Sequence, residues 1–561
     1  MSEQYVIGID FGTLSGRATV VRVSDGKELG SAVREYPHGV MDERLTAADN
    51  RELPPDFALQ VPSDYLTVLA HVVPAALREA HVDAAQVIGI GTDFTSATMI
   101  PTTADGTPLC QLPEFANEPH AYAKLWKHHG ATEQAERCIA VARQREETWL
   151  ARYGGRISSE FVIPKALETL EKAPAVYSAA AYYIEAVDWI VWQLCGRLIH
   201  CAASAGYKAL FQDGRFPSRD YFAALNPDFA DFISEKFDAP VLQLGERAGG
   251  LSAPMAALTG LPEGIAVAVG QIDAHVTAPA AQAIAPGQMT AIMGTSNVYI
   301  VNGETARDIP GVFGITAGGI SAGLWGYEGG QSGVGDIFGW VVDNIVPADY
   351  RAQADHRGIS VHTLLTEKAA GQAIGEHGLI ALDWHNGNRS ILNDGNLSGA
   401  LIGMSLTTRA EDIYRAYLEA TAFGLRVIIE NFAAHGVRIT EIVAAGGLLK
   451  NEFLMQLYAD VTRIPLSISG SGLASSLGAA ILGAVAAGAY PDVYQASAAM
   501  GTKVPHAYTP NEEAAAQYDR LYREYLELHD YFGRGGNPVM HSLKALQREV
   551  HHESLPEGDA V

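Results

Sequence analysis

Positive charge is scarce in this chain. Its 561 residues carry 39 Lys and Arg against 64 Asp and Glu, a formal net charge of −25. Such a surface repels nucleic acid and anionic membrane, so neither is an expected partner. An anionic nucleotide would need a local site of backbone N–H groups, metal ions and a few cations. Cysteine is scarcer still: Cys110, Cys138, Cys195 and Cys201 are the whole set, with no C-x-x-C pair. That excludes a tightly spaced Cys/His metal site and points to reduced, packed thiols in a cytoplasmic protein. No G-x-x-x-x-G-K-[ST] motif occurs, which argues against a P-loop kinase. Residues Met1 to Asp10 lack a basic region and a long apolar region, so no signal peptide is expected. One uncharged stretch, Gly470 to Tyr490, has the length of a membrane span. Its Gly, Ala and Ser content suits a buried helix packed closely on other backbone.

What is present reads as a globular α/β protein. Hydrophobic residues make up 48% and charged residues 18%, and the length calls for two or three domains. Short β-rich runs (Tyr5 to Ile9, Ala18 to Val23, Val87 to Gly91, Ile265 to Val269) alternate with helical stretches at Ile184 to Leu194 and Ile413 to Phe432. The hairpin from Ile7 to Val21 has an echo at Thr290 to Val301, with Gly12-Thr13 matched by Gly294-Thr295. Two such hairpins suggest two related domains facing one cleft, with the boundary near residue 270: residues 1–270 and 271–561. Tyr518, Leu521, Tyr522, Tyr525 and Leu528 form one face of a helix that docks on its own domain. The last ten or so residues are expected to be disordered.

Four segments carry candidate chemistry. In Asp10-Phe-Gly-Thr-Leu-Ser-Gly-Arg17 an acid ends an apolar strand and small residues make a tight turn. Such a turn aims N–H groups at phosphate oxygens, Thr13 and Ser15 add donors, Arg17 can reach phosphate or substrate, and Asp10 would hold magnesium through water. A plain hairpin with a turn-forming Asp reads equally well at this point. Asp273, in Gly270-Gln-Ile-Asp-Ala-His275, follows an apolar strand, where α/β sheets place their sites. It is the candidate base for transfer of a phosphoryl group to a hydroxyl, against the common reading of a helix cap. His275 is read as packed rather than catalytic. Gly294-Thr295-Ser296 could cradle phosphates from the opposite side. Gly446 and Gly447 allow close approach of a ring or ribose, and Asn451 could hydrogen-bond the nucleotide or simply cap a helix.

In order and spacing these segments closely resemble the FGGY carbohydrate kinases, of the actin-like ATPase superfamily, over nearly the whole chain. The resemblance implies two RNase H-like domains flanking a nucleotide and sugar cleft. The sugar would bind in the N-terminal domain and ATP with Mg²⁺ in the C-terminal one. It assigns phosphate binding to the Asp10–Arg17 loop (Gly12, Thr13, Ser15, Arg17) and to Gly294, Thr295 and Ser296. It assigns catalysis to Asp273 and adenosine binding to Gly446, Gly447 and Asn451. A family signature region resembles Gly399 to Met404 with Asp412, Ile413 and Ala416, from which Tyr417 departs.

Segments such as Lys124 to His129, Ala205 to Lys208, Gly326 to Ser332 and Asp383 to Arg389 look like the branch of that family acting on L-ribulose at its 5-hydroxyl. Similarity to that branch implies a sugar pocket of Ser96, Trp126, Lys208, Asp273 and Glu328. The branch often has Ala where this chain has Ser96. Lys208 would donate, Glu328 accept, and Trp126 wall the C–H face of the sugar. The expected partners are therefore a small sugar and ATP, with a homodimer as one expectation of assembly. The alternatives are a kinase of D-ribulose, xylulose or glycerol, and a non-enzymatic actin-like nucleotide switch.

Overall fold

Val6, Ile7 and Ile9 are buried on both sides of their strand, as a strand inside a sheet covered on both faces requires. In the computed structural model, which describes residues 3–553, this strand (Tyr5–Phe11) lies within a seven-stranded sheet. It pairs antiparallel with Ser15–Arg22 and parallel with Val87–Phe94. Glu28–Glu35 extends one side; Ala266–Ala268 and Arg247–Gly250 extend the other.

A second seven-stranded sheet repeats the plan. Gln288–Met293 pairs antiparallel with Asn297–Gly303 and parallel with Glu441–Ala445. Trp325–Gln331 and Gly314–Ala317 continue one side; Leu466–Ser469 and Lys503–Tyr508 continue the other. The echo between the two hairpins is thus an echo in topology. The first sheet takes its strands from residues 5–272 and the second from residues 288–508.

Between strands of the first sheet, residues 99–240 add short helices around an aromatic core that includes Trp149, Tyr153, Phe161, Tyr221 and Phe232. One expected helix is shorter than its apolar run. Ile184 and Glu185 end a strand that pairs with Ile100 and Met99, and the helix begins at Ala186. The cross-strand pairing satisfies their backbone groups before the helix can. The tail helix Glu512–Gly533 buries Tyr518, Tyr522 and Tyr525 against the second core. The expected disorder of the last residues falls mostly on positions outside the described ones.

The uncharged stretch forms the helix Ala474–Ala486, and it packs on the first sheet although in sequence it lies between two strands of the second, Leu466–Ser469 and Lys503–Tyr508. Among the described residues no helix is long and apolar enough to cross a membrane. A Cβ added at Gly8 would overlap the carbonyl of Ser476, and one at Gly91 the carbonyl of Ala479. On the helix itself, a Cβ at Gly478 would overlap the carbonyl of Val276, in the helix Asp273–Ala280. Glycine therefore permits contact of backbone with backbone in both directions. Overpacking a fitted core typically costs about 1–3 kcal/mol. Gly8→Ala is expected to lower the melting temperature accordingly, and an unchanged melting curve would show that this contact is not as tight as described.

Candidate active site

Strand register brings the acids together. Asp10 lies beside Asp93 in the parallel pair, and Gln271 lies on the other side of Asp93. Asp273 follows two residues later as the first residue of its helix, where its carboxylate accepts from the Ala274 N–H at 2.7 Å. Three carboxylates thus stand at the C-terminal ends of three neighbouring strands. Burial raises the Asp10 carboxyl above its usual value. Asp93 is fully buried, and burial with the charges of Asp10 and Asp273 pushes it well above the carboxylate range. Asp273 is pushed up to about 7, by burial first and then by Asp10.

Asp10 and Asp273 open into a cavity of about 290 Å³ lined by both halves of the chain, with Asp93 buried behind them. Asp10, Thr13, Ser96, Trp126, Lys208, Asp273, Ser296 and Glu328, all expected from sequence, line it. Trp126 donates through Nε1 to the Thr13 hydroxyl at 3.2 Å, joining the expected sugar wall to the first hairpin. Lys208 is buried, and burial lowers its ammonium while Glu328 opposes that shift. Glu328 accepts from Arg389 Nη2 at 2.7 Å and pairs with His275 Nε2 at 3.1 Å. Burial works against its ionisation, but Lys208, His275 and Arg389 outweigh it and hold the carboxyl well below its usual range.

The other expected residues sit around this cavity rather than in its wall. Gly12 N–H donates to the Ser15 carbonyl at 3.0 Å and Gly294 N–H to the Ser296 carbonyl at 3.1 Å, so each tip is closed by its leading glycine, the second around one residue fewer. Arg17 stands opposite Asp10 across the first hairpin. Thr295 holds the start of the next helix, its carbonyl accepting from Val334 N–H at 2.8 Å. Gly446, at φ +105°, lies so close to Met293 that a side chain would meet the Met293 carbonyl; Gly447 follows it. This pair therefore borders the second hairpin. Asn451 caps the helix Glu452–Thr462, accepting from Leu454 N–H at 3.0 Å and donating to Thr366 Oγ1 at 3.2 Å. Its side chain is occupied within the fold in this arrangement.

Sequence reasoning gave no role to Asp93, Glu160 or Arg389, although Arg389 ends one of the branch-like segments. Asp93 could have been found, since it ends an apolar strand as Asp10 does. Glu160 and Arg389 lie in loops whose direction no periodicity reveals. Lys165 is fully buried and donates to the carbonyls of Ala97 and Leu125 at 2.6 Å each. Those carbonyls adjoin Ser96 and Trp126. Both oxygens of Asp93 are buried without a hydrogen-bond partner, a state that calls for a proton or a cation. Among the described residues no three His, Cys, Asp or Glu side chains are grouped to ligate an ion directly. Asp10 and Asp93 together therefore suit Mg²⁺ that keeps its water shell.

Residues 289–487 match the C-terminal domain of the FGGY family of carbohydrate kinases. Over 544 residues the chain is 56% identical to a ribulokinase of Mycolicibacterium smegmatis, covering 97% of this chain and 96% of that one. A ribulokinase of Bacillus licheniformis is 48% identical, with 95% and 98% covered. The fold matches the crystal structure of a xylulose kinase from Rhodospirillum rubrum at TM-score 0.78 and 24% identity, covering 96% and 100% of the two chains. It matches a gluconate kinase from Lactobacillus acidophilus equally, at TM-score 0.78 and 18% identity, with 95% and 99% covered.

The raised Asp273 carboxyl has a consequence for stability. Between its ordinary value of 3.8 and its folded value of about 7, the folded state holds more protons than the unfolded one. Stability from this group therefore falls as pH rises through that window. Asp273→Asn, which cannot ionise, is expected to melt above the parent at about pH 8, with the gain shrinking towards about pH 4. A gain that is the same at both ends would remove the raised carboxyl.

Proposed function

Because this chain belongs to the FGGY family of carbohydrate kinases, we propose that it phosphorylates L-ribulose at the 5-hydroxyl, with Asp273 as general base. It is an ATP-dependent sugar kinase that uses Mg²⁺. The observation that carries the finer reading is the place of Asp273: a carboxyl raised to about 7, in one cavity with Lys208, Glu328 and the phosphate-type hairpins. A base with a value near neutrality can take a proton from an alcohol as the phosphoryl group leaves for it.

In this reading Lys208 donates to sugar hydroxyls and Glu328, kept anionic, accepts from them. Trp126 covers the C–H face of the sugar and Ser96 adds a hydroxyl to the wall. The hairpin tips at Gly12, Thr13 and Ser15 and at Gly294, Thr295 and Ser296 receive phosphate oxygens through their hydroxyls and through N–H groups other than those of Gly12 and Gly294, which close the turns. Gly446 and Gly447 leave room for the nucleoside. Asp10 and Asp93 would hold the hydrated metal, whose charge offsets that of the phosphates. The cysteines, none of them disulfide-bonded, support a cytoplasmic location. A homodimer is supported by the exposed stripe Val539, Leu543, Leu546 and Val550, spaced four-three-four like a self-pairing helix seam.

The test is sugar-dependent ADP release with L-ribulose, D-ribulose, D-xylulose, L-xylulose and glycerol offered separately. L-Ribulose is expected to win, and preference for another polyol would overturn the substrate while leaving the kinase. Asp273→Asn should lose roughly 10²–10⁴-fold in kcat with sugar binding retained. In the parent, kcat/KM should fall as pH drops through about 7, because the protonated carboxyl cannot accept. Near-parental turnover in the variant would remove Asp273 from the role.

A further inference from the structure

Phe313 stands where the two halves of the chain meet at the cavity. It immediately precedes the strand Gly314–Ala317 of the second sheet, yet its ring packs in the aromatic core of the first half. Its N–H donates to the carbonyl of Glu328 at 2.8 Å, which fixes the ring beside that acid. Two cations face this one ring. The nitrogen of Lys208 lies 4.1 Å from the ring centroid, and the guanidinium carbon of Arg389 lies 3.9 Å from it. Like charges repel at such range unless something between them favours both. The negative face of the ring and the carboxylate of Glu328 supply that.

Arg389 has more donors than the fold uses. Nη2 is taken by Glu328, whereas Nε is buried with no partner. A guanidinium carries five N–H donors in a fixed plane, and leaving one buried and unpaired is costly. The side chain lines the cavity with Lys208 and Glu328. Its loop is pinned to the strand that carries Glu328, through Gly330 N–H donating to Ser390 Oγ at 3.2 Å. The guanidinium is thus held in place by Glu328 and the Phe313 ring, on the wall of the cavity that Lys208 and Asp273 also line.

We propose that Arg389 is a sugar-contacting residue supplied by the second half of the chain, and that Phe313 is the positioning residue that seats Arg389 and Lys208 together. The chemistry it reads is a pair of neighbouring hydroxyl or carbonyl oxygens on a small polyol, which a planar fork engages better than a single ammonium does. The inference rests on the sugar-kinase reading of this cavity.

The test is calorimetric binding of L-ribulose without nucleotide, together with steady-state KM for sugar and for ATP. Arg389→Met is expected to weaken sugar binding about 10–100-fold, as for loss of a charged hydrogen bond, with KM for ATP within about 2-fold. Arg389→Lys should fail to restore it, because the fork and not the charge is the requirement. Phe313→Leu should weaken sugar binding likewise, and Phe313→Tyr should keep it. Should Phe313→Leu fail to fold, Phe313→Tyr and the Arg389 pair still decide the matter. Parental sugar affinity in Arg389→Met, or a raised KM for ATP in place of sugar, overturns the proposal. If the parent binds no L-ribulose, the substrate reading fails by itself, and the variants are then scored on whichever sugar of the panel the parent prefers.

Discussion

The contact of backbone with backbone around the helix Ala474–Ala486 is the constraint on which the site depends. Gly8 and Gly91 lie within the strands that end at Asp10 and Asp93, and Gly478 meets the helix that begins at Asp273. Ser475, at the start of the same segment, reaches the cavity. Side chains would keep these elements several ångströms apart. Without them, the positions of three carboxylates are set by main-chain van der Waals contact, the stiffest kind of contact a protein interior offers. A helix from late in the chain thereby fixes the acids of the early part.

Around that frame the fold sorts its carboxylates by environment. Asp10, Asp93 and Asp273 crowd one another out of reach of most solvent, so each resists ionising. Glu328 is as deeply placed but surrounded by Lys208, Arg389 and His275, so it stays charged. One cavity thus holds a carboxyl raised towards neutrality and a carboxylate held anionic. The separation of roles comes from neighbours and not from residue type.

Much of this was legible in the sequence, for physical reasons. Apolar runs ending in an acid and a small-residue turn locate Asp10 and Asp273, because a strand must end where its side chains stop favouring the core. The repeat of the strand and small-residue turn at Gly294, without the acid, pointed to a second hairpin like the first. The small-residue content of Gly470 to Tyr490 announced close packing, though not onto which sheet, since composition carries no address. The meeting of Arg389 and Phe313 with Lys208 was hidden for the same reason: it depends on loops and on a residue just before a strand that turns into the other half. At Asn451 the two readings of one residue type were both open, and local backbone geometry supports the cap.

Lys165 gives the sugar side a property of its own. One ammonium holds the carbonyls next to Ser96 and next to Trp126, so the two segments share a single anchor. They cannot drift separately over evolutionary time. A substitution that moves one drags on the other through the same nitrogen, and compensating changes must arrive in pairs. Side chains at positions 96 and 126 are free to vary in chemistry while the distance between them is inherited. Descendants of such a pocket would explore new sugars by exchanging groups on a wall of constant width, which favours isomers of one carbon count over longer or shorter chains.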